Sequence, residues 1–387
     1  MTTTRNMPSF ADQLRYFRKQ QPQIVETISQ LVEIESPSDV KAAVDRLGAV
    51  LASRFEEIGG KASFHSAEKF GNQLQVDFKA KLSDKQKPVL LLGHMDTVYP
   101  IGTISKMPCR VANGRVWGPG VLDMKSGIAL ALHVVGALTE WGLSRPLSLL
   151  LVSDEEVGSK SSRPITEKLA KGASSVLVLE PAYGPHGAVK TARKGVGEYT
   201  VKVTGKAAHS GLDFEQGQSA VLELAKQICE ISKLVDLKRG VTLNVGKVSG
   251  GTRVNVVPAE AAAYLDLRVA AARDGIRLDR KLRALKPFNR KCKIAVSGGF
   301  NRPPMERTEG VASLYARARE IAGELGLNLK EAAVGGGSDG NFTAALGIPT
   351  LDGLGGVGEG AHAEHESILI SELPRRAALL AGLIQRV

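Results

Sequence analysis

The segment Val89–Asp96, with the sequence VLLLGHMD, is a short apolar run that ends in a histidine and an aspartate. Two runs of the same kind follow it, at Leu147–Ser153 and Ser175–Glu180. Apolar runs of this length are typical of strands that are buried on both faces. Between them, Gly127–Glu140 is apolar on nearly every side, which indicates a buried helix. The alternation predicts an α/β domain with a mostly parallel sheet and helices on both of its faces.

The pattern of the chain changes after Gly195. Residues Glu198–Thr204 alternate between apolar and polar side chains, which indicates a half-exposed strand. The following segments predict a helix, two strands, a helix and a strand, at Gln218–Leu234, Val241–Val248, Ala261–Val269, Leu278–Leu285 and Cys292–Val296. This β-α-β-β-α-β order is typical of a split βαβ sandwich. We therefore expect a smaller α+β domain, residues 196–302, inserted into a larger domain formed by residues 1–195 and 303–387.

The composition limits the classes of partner. The 387 residues carry a formal net charge of +11, and a positive balance favours anionic partners. We expect no nucleic-acid partner, because aromatic residues make up only 5% of the chain and it has no nucleic-acid-binding motif. We also expect no membrane segment, since no run approaches the roughly 18 apolar residues that a membrane helix needs.

The N-terminus and the cysteines indicate a reducing compartment. Met1–Val32 is polar and charged and lacks the apolar stretch of a secretory signal. Cys109, Cys229 and Cys292 are far apart, odd in number and in no C-x-x-C pair. This spacing argues against a disulfide framework and against a thiolate zinc site. We therefore expect a cytoplasmic protein.

His94 and Asp96 stand at the end of the first apolar strand. In open α/β sheets, ligands bind beyond the carboxyl ends of the strands. We interpret His94 as a metal ligand and Asp96 as the acceptor of the other ring N–H. For this motif alone, a loop histidine beside an unrelated aspartate is the alternative.

Three consecutive acids, Asp154, Glu155 and Glu156, follow the second apolar run. Adjacent carboxylates repel one another unless a cation or a proton compensates their charge. Two neighbouring glutamates suit a divided role, in which one binds a metal and the other handles the protons of a metal-bound water. An exposed acidic turn is the alternative interpretation.

Further carboxylates and two histidines stand at the borders of other elements. Asp123 precedes the buried helix, where an ordinary N-cap is the alternative, and Glu180 ends an apolar strand, where a carboxylate needs a partner. His362 and His365 precede the final helix. Mixed nitrogen and oxygen ligands from separate strand ends suit zinc and leave positions for water. The candidate ligands are His94, Asp123, Glu156, Glu180 and one late histidine.

The order of these motifs resembles the zinc-dependent aminoacylase/carboxypeptidase family of co-catalytic metallopeptidases. The matching pieces are H-x-D at His94, G-x-G-x-x-D-x-K-x-G at Gly118–Gly127, the adjacent glutamates and the late histidine. Within that family the chain is most similar to the bacterial glutamate carboxypeptidases, and the resemblance runs from about Glu26 to Val387. It implies a homodimer and two Zn²⁺ ions per subunit, for which Co²⁺ or Mn²⁺ could substitute.

The resemblance also implies a role for each matching residue of the metal site. The first zinc would be held by His94 and Glu180, the second by Glu156 and His362, and Asp123 would bridge them with a cis peptide bond to Met124. Asp96 would orient His94, and Glu155 would be the general base. His362 is preferred to His365 because the family pattern is a histidine followed four residues later by a glutamate, here Glu366.

In the inserted segment, the resemblance implies that His209 reaches the active site of the partner subunit. Substrate contacts are implied for Asn255, Arg268, Arg302 and the loop Gly336-Gly337-Ser338. The implied reaction is hydrolysis of the amide bond next to a C-terminal amino acid with a free carboxylate.

Other functions compete with this one. An N-acyl-amino-acid deacylase or a dipeptidase would share all the metal residues. A binding protein that has lost catalysis is disfavoured, because every expected ligand and Glu155 are present. A nucleotide-binding protein is disfavoured because the glycine-rich loop Gly335–Gly340 is not in a strand–G-x-G-x-x-G–helix context.

Overall fold

The computed structural model describes residues 7–80 and 86–387. The first six residues of the polar N-terminal stretch Met1–Val32 therefore lie outside the described part. The chain divides into two units. The first comprises the described residues up to Thr191 together with Arg307–Ala333 and Ser338–Val387, and the second comprises Ala192–Glu306 and Val334–Gly337.

The described chain contains both helices and strands from its first part to its last. The elements before residue 194 are α1 (Phe10–Val32), α2 (Lys41–Glu57), β1 (Lys61–His65), β2 (Gln73–Phe78), β3 (Val89–His94), α3 (Thr103–Lys106), β4 (Arg110–Ala112), β5 (Arg115–Trp117), α4 (Ser126–Trp141), β6 (Leu147–Val152), α5 (Arg163–Gly172), β7 (Ser175–Val178) and β8 (Val189–Arg193). Those of the second unit are β9 (Gly195–Thr204), β10 (Ala208–His209), α6 (Ala220–Ser232), β11 (Thr242–Gly250), β12 (Val256–Val257), β13 (Glu260–Val269), α7 (Ala272–Arg283) and β14 (Lys293–Arg302). The last are α8 (Glu309–Glu324), β15 (Glu331–Val334), α9 (Gly340–Ala345), β16 (Thr350–Leu351), β17 (Gly358–Glu359), β18 (Ser367–Leu369) and α10 (Leu373–Arg386).

The first unit contains a six-stranded sheet with the order β1-β2-β6-β3-β7-β16. Strands β6, β3, β7 and β16 pair in parallel, as the apolar runs predict. The pairs β1–β2 and β2–β6 are antiparallel, so the expectation of a mostly parallel sheet is only partly confirmed. The β1 strand is largely exposed, which explains why its sequence lacks the apolar signal of the central strands.

Helices cover both faces of this sheet, as predicted. Leu91 of β3 packs into a core with α1, α2, α4, α8 and α10. Its neighbours Leu90 and Leu92 face the other way, into a second core that includes Ala170 of α5. Because successive side chains of a strand point to opposite faces, a strand buried on both sides must be apolar throughout.

One segment of the described chain, Val121–Trp141, which consists of α4 and the five residues before it, is long and apolar enough to cross a membrane, with a mean hydropathy of 1.5. It is the exception to the expectation that no run approaches this length. However, 83% of its 18-residue window is buried inside the protein. Burial on all sides is the property of a core helix.

The second unit contains a four-stranded antiparallel sheet with the order β11-β13-β9-β14. Tyr199, Val201 and Val203 of β9 are buried, and the residues between them are more exposed, as the alternation predicts. Helices α6 and α7 pack against this sheet. The order β9-α6-β11-β13-α7-β14 confirms the predicted split βαβ arrangement.

Candidate metal centre

The central strands of the first unit bring three candidate residues together. His94 is the last residue of β3, Glu155 follows β6, and Glu180 follows β7. Since β6 and β7 flank β3 in the sheet and all three run in parallel, their carboxyl ends lie side by side. One ligand atom from each of these three residues lies within 4.8 Å of the others.

Asp123 lies between two histidines. Its Oδ1 is 3.1 Å from Nε2 of His94, and its Oδ2 is 3.4 Å from Nε2 of His362. The carboxylate therefore presents one oxygen to each side, which is the geometry that a bridging ligand requires. The peptide bond Asp123–Met124 is cis, as the resemblance implies.

Each histidine also has a second carboxylate neighbour. Nε2 of His94 is 3.6 Å from Oε1 of Glu180, and Nε2 of His362 is 3.2 Å from Oε1 of Glu156. His94, Asp123 and Glu156 form a second group whose ligand atoms lie within 4.8 Å of one another. These distances join the residues for which the resemblance implies two metal positions.

The donor set fits a pair of divalent cations. It combines imidazole nitrogens with carboxylate oxygens, which suit zinc and the neighbouring first-row metals. Asp123, Glu155, Glu156 and Glu180 bring four negative charges to one partly buried place. Two divalent cations would balance that charge, which burial alone would make costly.

Hydrogen bonds shift the pKa values of these groups. Burial lowers the pKa of His94, but hydrogen bonds to Asp123 and Asp96 and their charges outweigh it and raise the pKa well above its usual value. Hydrogen bonds to Asp123 and Glu156 raise the pKa of His362 to about 10. Burial raises the pKa of Asp123, but the two imidazoles more than offset this and hold it below its usual range. Imidazole and carboxylate groups bind a metal in their deprotonated forms, so metal binding at these residues would be coupled to proton release.

Asp96 contacts both His94 and the acidic turn. The nearest acceptor to Nδ1 of His94 is the backbone oxygen of Asp96, at 2.9 Å, and Oδ1 of Asp96 is 3.5 Å away. The same carboxylate accepts the backbone N–H groups of Glu155 and Glu156, both at 3.2 Å. Ser38, which no sequence motif singled out, donates its hydroxyl to Oδ2 of Asp96 at 2.7 Å. An acceptor at Nδ1 leaves Nε2 of His94 available to bind a metal.

The two late histidines, His362 and His365, have different surroundings. His362 turns toward Asp123 and Glu156 with a φ of 64°. His365 instead lies over Gly360, where an added Cβ would come within 2.9 Å of its Cδ2 atom. His365 belongs to neither group of candidate ligands among the described residues.

His209 is an exposed residue of β10, which pairs with β12 in the second unit. Its Nδ1 accepts the backbone N–H groups of Gly211 and Leu212, at 3.1 and 3.2 Å. A neutral ring with an acceptor at Nδ1 carries its proton on Nε2. Asn255 precedes β12 and is also exposed.

The arginines of the second unit differ in their surroundings. Arg268 forms a forked ion pair with Asp266 on the same strand, with Nε 2.8 Å from Oδ1. Arg302 is only 5% exposed, and its side chain lies against Gly337, where an added Cβ would be 2.9 Å from Cδ. Arg193, a residue that no motif singled out, donates to the carbonyl oxygens of Gly336 and Gly337 at 3.2 and 3.1 Å.

Ser338 follows this glycine pair and is buried in the first unit. Its hydroxyl donates to Oδ2 of Asp352 at 2.6 Å, and its backbone N–H donates to Oδ1 of Asn341 at 2.9 Å. Both groups of Ser338 are therefore engaged within the protein.

Comparison with known proteins identifies the family. The profile of peptidase family M20/M25/M40 matches residues 90–386. The chain is 30% identical to carboxypeptidase G2 of Pseudomonas sp. strain RS-16 over 377 residues, which cover 94% of this chain and 89% of that protein. The chain belongs to peptidase family M20/M25/M40. This membership confirms the resemblance found in the sequence and makes the protein a metallopeptidase, a hydrolase.

Solved structures of the M20 fold superpose on nearly the whole chain. Aminopeptidase PepT of Bacillus cereus has a TM-score of 0.77 at 22% identity, covering 94% of this chain and 98% of that one. The YXEP protein of Bacillus subtilis, described as a dinuclear metal-binding peptidase of the M20 family, has a TM-score of 0.68 at 14% identity and covers 95% of this chain and 98% of its own. Similarity at this level of identity establishes the shared fold.

Proposed function

We propose that this M20 peptidase is a dizinc carboxypeptidase that cleaves the amide bond before a C-terminal residue with a free carboxylate. The observation that carries the proposal is the placement of Asp123 between His94 and His362, with Glu156 and Glu180 as their second carboxylates. Two bound zinc ions would supply a water of lowered pKa and polarise the amide carbonyl.

Glu155 is proposed as the general base and acid. It lies with His94 and Glu180 in one group of candidate ligand atoms, so its carboxylate is close to the first metal position. Its backbone is held by Asp96, which fixes the start of the turn Glu155–Val157. From there Glu155 can accept the proton of the attacking water and return it to the departing amine.

The substrate's carboxylate is proposed to bind Arg302 and the backbone of Gly336 and Gly337. Two contacts hold the backbone of Gly336 and Gly337 in place and support this proposal. The buried side chain of Arg302 lies against Gly337, and Arg193 donates to the carbonyl oxygens of both glycines. A guanidinium matches a carboxylate with two parallel hydrogen bonds. Arg268, which pairs with Asp266, is a second candidate for this contact, and the hydroxyl of Ser338 donates to Asp352. The net charge of +11 favours an anionic substrate.

His209 is proposed to act in a homodimer, supplied by a second copy of the chain, with Asn255 as a further substrate contact. A proton on Nε2 makes its ring a donor that suits the oxyanion of the transition state. Nearby Leu212 and Phe214 are 81% and 67% exposed, which suits a surface that a second copy covers. We place the protein in the cytoplasm, where its three unpaired cysteines would remain reduced.

The first experiment tests the chemistry. Glu155→Gln should keep two zinc ions and lose about 10²–10⁴-fold in kcat, the usual contribution of a general base. Metal content by mass spectrometry and turnover on N-acyl-glutamates and peptides measure the two effects. Wild-type turnover in this variant would remove Glu155 from the mechanism.

The second experiment tests the substrate. We expect kcat/KM for an N-acyl-glutamate to exceed that for its α-amide by up to ~10⁴-fold, since buried polar groups would be left unpaired by the amide. Arg302→Ala should remove much of this preference, and Arg268→Ala measures the contribution of the second arginine. Equal rates for acid and amide would reject the carboxylate site. A preference for free dipeptides would identify a dipeptidase instead.

The third experiment tests the dimer. Inactive Glu155→Gln and inactive His209→Ala chains should regain part of the activity when mixed, because each hybrid dimer contains one complete site. Failure to regain activity after confirmed subunit exchange would reject a role for His209 across the dimer.

A further inference from the structure

The side chain of Glu366 is completely buried, four residues after His362. Its Oε1 accepts the backbone N–H groups of Leu122 and Asp123, at 2.8 and 2.9 Å. Its Oε2 accepts the N–H of Gly120 at 2.9 Å and the hydroxyl of Tyr99 at 2.6 Å. One carboxylate thus receives four hydrogen bonds, three of them from the turn that ends in Asp123.

The turn Gly120–Asp123 has a backbone conformation that its contact with the Glu366 carboxylate explains. Gly120 has a φ of 71°, and a Cβ at this position would lie 2.6 Å from Cγ2 of Thr97, so only glycine fits. The N–H groups of Gly120, Leu122 and Asp123 then converge on one point. Converging backbone N–H groups form a concave site for an anion, and Glu366 supplies that anion from within the chain.

The sheet places Glu366 at this point. Strand β18, which starts at Ser367, pairs with β5, which ends at Trp117. One step beyond this pair, the N–H of Gly118 donates to the backbone oxygen of Glu366 at 3.2 Å. The strand pairing therefore joins the segment that carries His362 to the turn that carries Asp123, and the Glu366 side chain closes the connection.

We propose that Glu366, held by Tyr99, is a positioning residue that sets Asp123 between His94 and His362. The inference rests on the proposed function, because it concerns the ligand that would bridge the two metals. Carboxylates that orient a metal ligand are commonly worth 10–100-fold in metal affinity or activity. Here the orientation passes through the backbone of Asp123, whose side chain remains free to bridge.

The test compares Glu366→Gln with Glu364→Gln, an exposed glutamate two residues away. The glutamine amide would set its own N–H groups against backbone N–H donors of the turn. We expect zinc affinity, measured by competition with a chromophoric chelator, to fall about 10–100-fold in Glu366→Gln. At saturating zinc, kcat should fall by a similar factor with KM within about twofold, and Glu364→Gln should match the wild type.

A purely structural role would lower the unfolding temperature of the metal-free protein and leave both zinc affinity and kcat unchanged, which would overturn the proposal. If Glu366→Gln does not fold, Tyr99→Phe decides, because it removes only a hydroxyl, which lies 2.6 Å from Oε2 of Glu366 and 3.1 Å from the backbone oxygen of Ala363. About fivefold weaker zinc binding in Tyr99→Phe would support the proposal, and wild-type affinity would overturn it. A wild-type chain that binds zinc but cleaves no amide would reject the proposed function, and the zinc affinities of the variants would still test the role of Glu366.

Discussion

The backbone N–H of Glu155 donates to Oδ1 of Asp96 at 3.2 Å. The N–H of Glu156 donates to the other oxygen of the same carboxylate. The aspartate beside His94 therefore holds the turn that carries two further residues of the candidate site. A shift of the Asp96 side chain would therefore displace His94, Glu155 and Glu156 together.

Asp96→Asn should lower zinc affinity and kcat by about 10–100-fold each, because one oxygen becomes an N–H₂ group that faces other donors. Ser38→Ala removes only one hydroxyl donor from Asp96 and should have a smaller effect in the same direction. Chelator competition and steady-state kinetics measure both effects. An Asp96→Asn variant with the wild-type values would show that the turn is held by other contacts.

Substitution of the candidate ligands should divide them into two sets. His94→Ala and Glu180→Ala should each lower the affinity for one zinc ion by more than about tenfold. Glu156→Ala and His362→Ala should lower the affinity for the other zinc ion by a similar factor. Asp123→Ala should weaken both, since its two oxygens face different histidines. Metal content after dialysis against a weak chelator is the measurement. His365→Ala is the control, and zinc loss in it with retention in His362→Ala would reverse the choice of ligand.

The sequence could predict the parts of the fold that depend on apolar periodicity. The strands that end at His94 and near Glu180 are buried on both faces, so each gives an uninterrupted apolar run and a defined end. Residues at those ends could be predicted as neighbours because parallel strands share an edge. Strand β1 has no such signal because its side chains are exposed. The antiparallel pairs at this edge of the sheet come from β2, which runs opposite to both β1 and β6.

The supporting residues of the site could not be predicted in the same way. Tyr99, Ser38 and Arg193 act through hydrogen bonds to groups that are distant in the sequence, at Glu366, Asp96 and the glycine pair. Such contacts leave no periodic pattern and no characteristic spacing. Arg268, for which the resemblance implies a substrate contact, pairs with Asp266 on its own strand, and its role in binding stays a prediction.

Arg376 of α10 should be important for stability. It is 4% exposed and donates to three backbone oxygens, those of Gly355, Gly187 and Gly353. Burial lowers its pKa to about 10. Arg376→Met should lower the free energy of unfolding by about 2–4 kcal/mol, because buried carbonyl groups lose their donor.

Arg375→Met is the matched control for this prediction. Arg375 is exposed and pairs at 2.8 Å with Glu372, the residue that precedes α10. An exposed pair of this kind contributes less than about 1 kcal/mol. Urea unfolding at constant pH measures both variants, and equal midpoints would mean that the loop carbonyls find other donors at little cost.

His133 should make the stability of the protein depend on pH below neutrality. Its Nε2 lies 2.9 Å from Oγ1 of Thr27. Burial, together with the charge of Arg54, lowers the pKa of His133 to about 4 from an ordinary value of 6.5. Between these values the unfolded chain binds a proton that the folded chain does not. The contribution of His133 to the free energy of unfolding is therefore fully present above about pH 6.5 and decreases as the pH falls toward 4.

His133→Gln should remove this part of the pH dependence, because glutamine stays neutral while it can still bond to Thr27. The free energy of unfolding of the wild type, relative to the variant, should be constant above about pH 7 and should fall by at most ~3 kcal/mol between pH 6.5 and 4. Comparing each difference across pH cancels the effects of metal release and of other groups. A curve for His133→Gln that is parallel to the wild-type curve would mean that His133 takes up its proton as readily in the folded protein as in the unfolded chain.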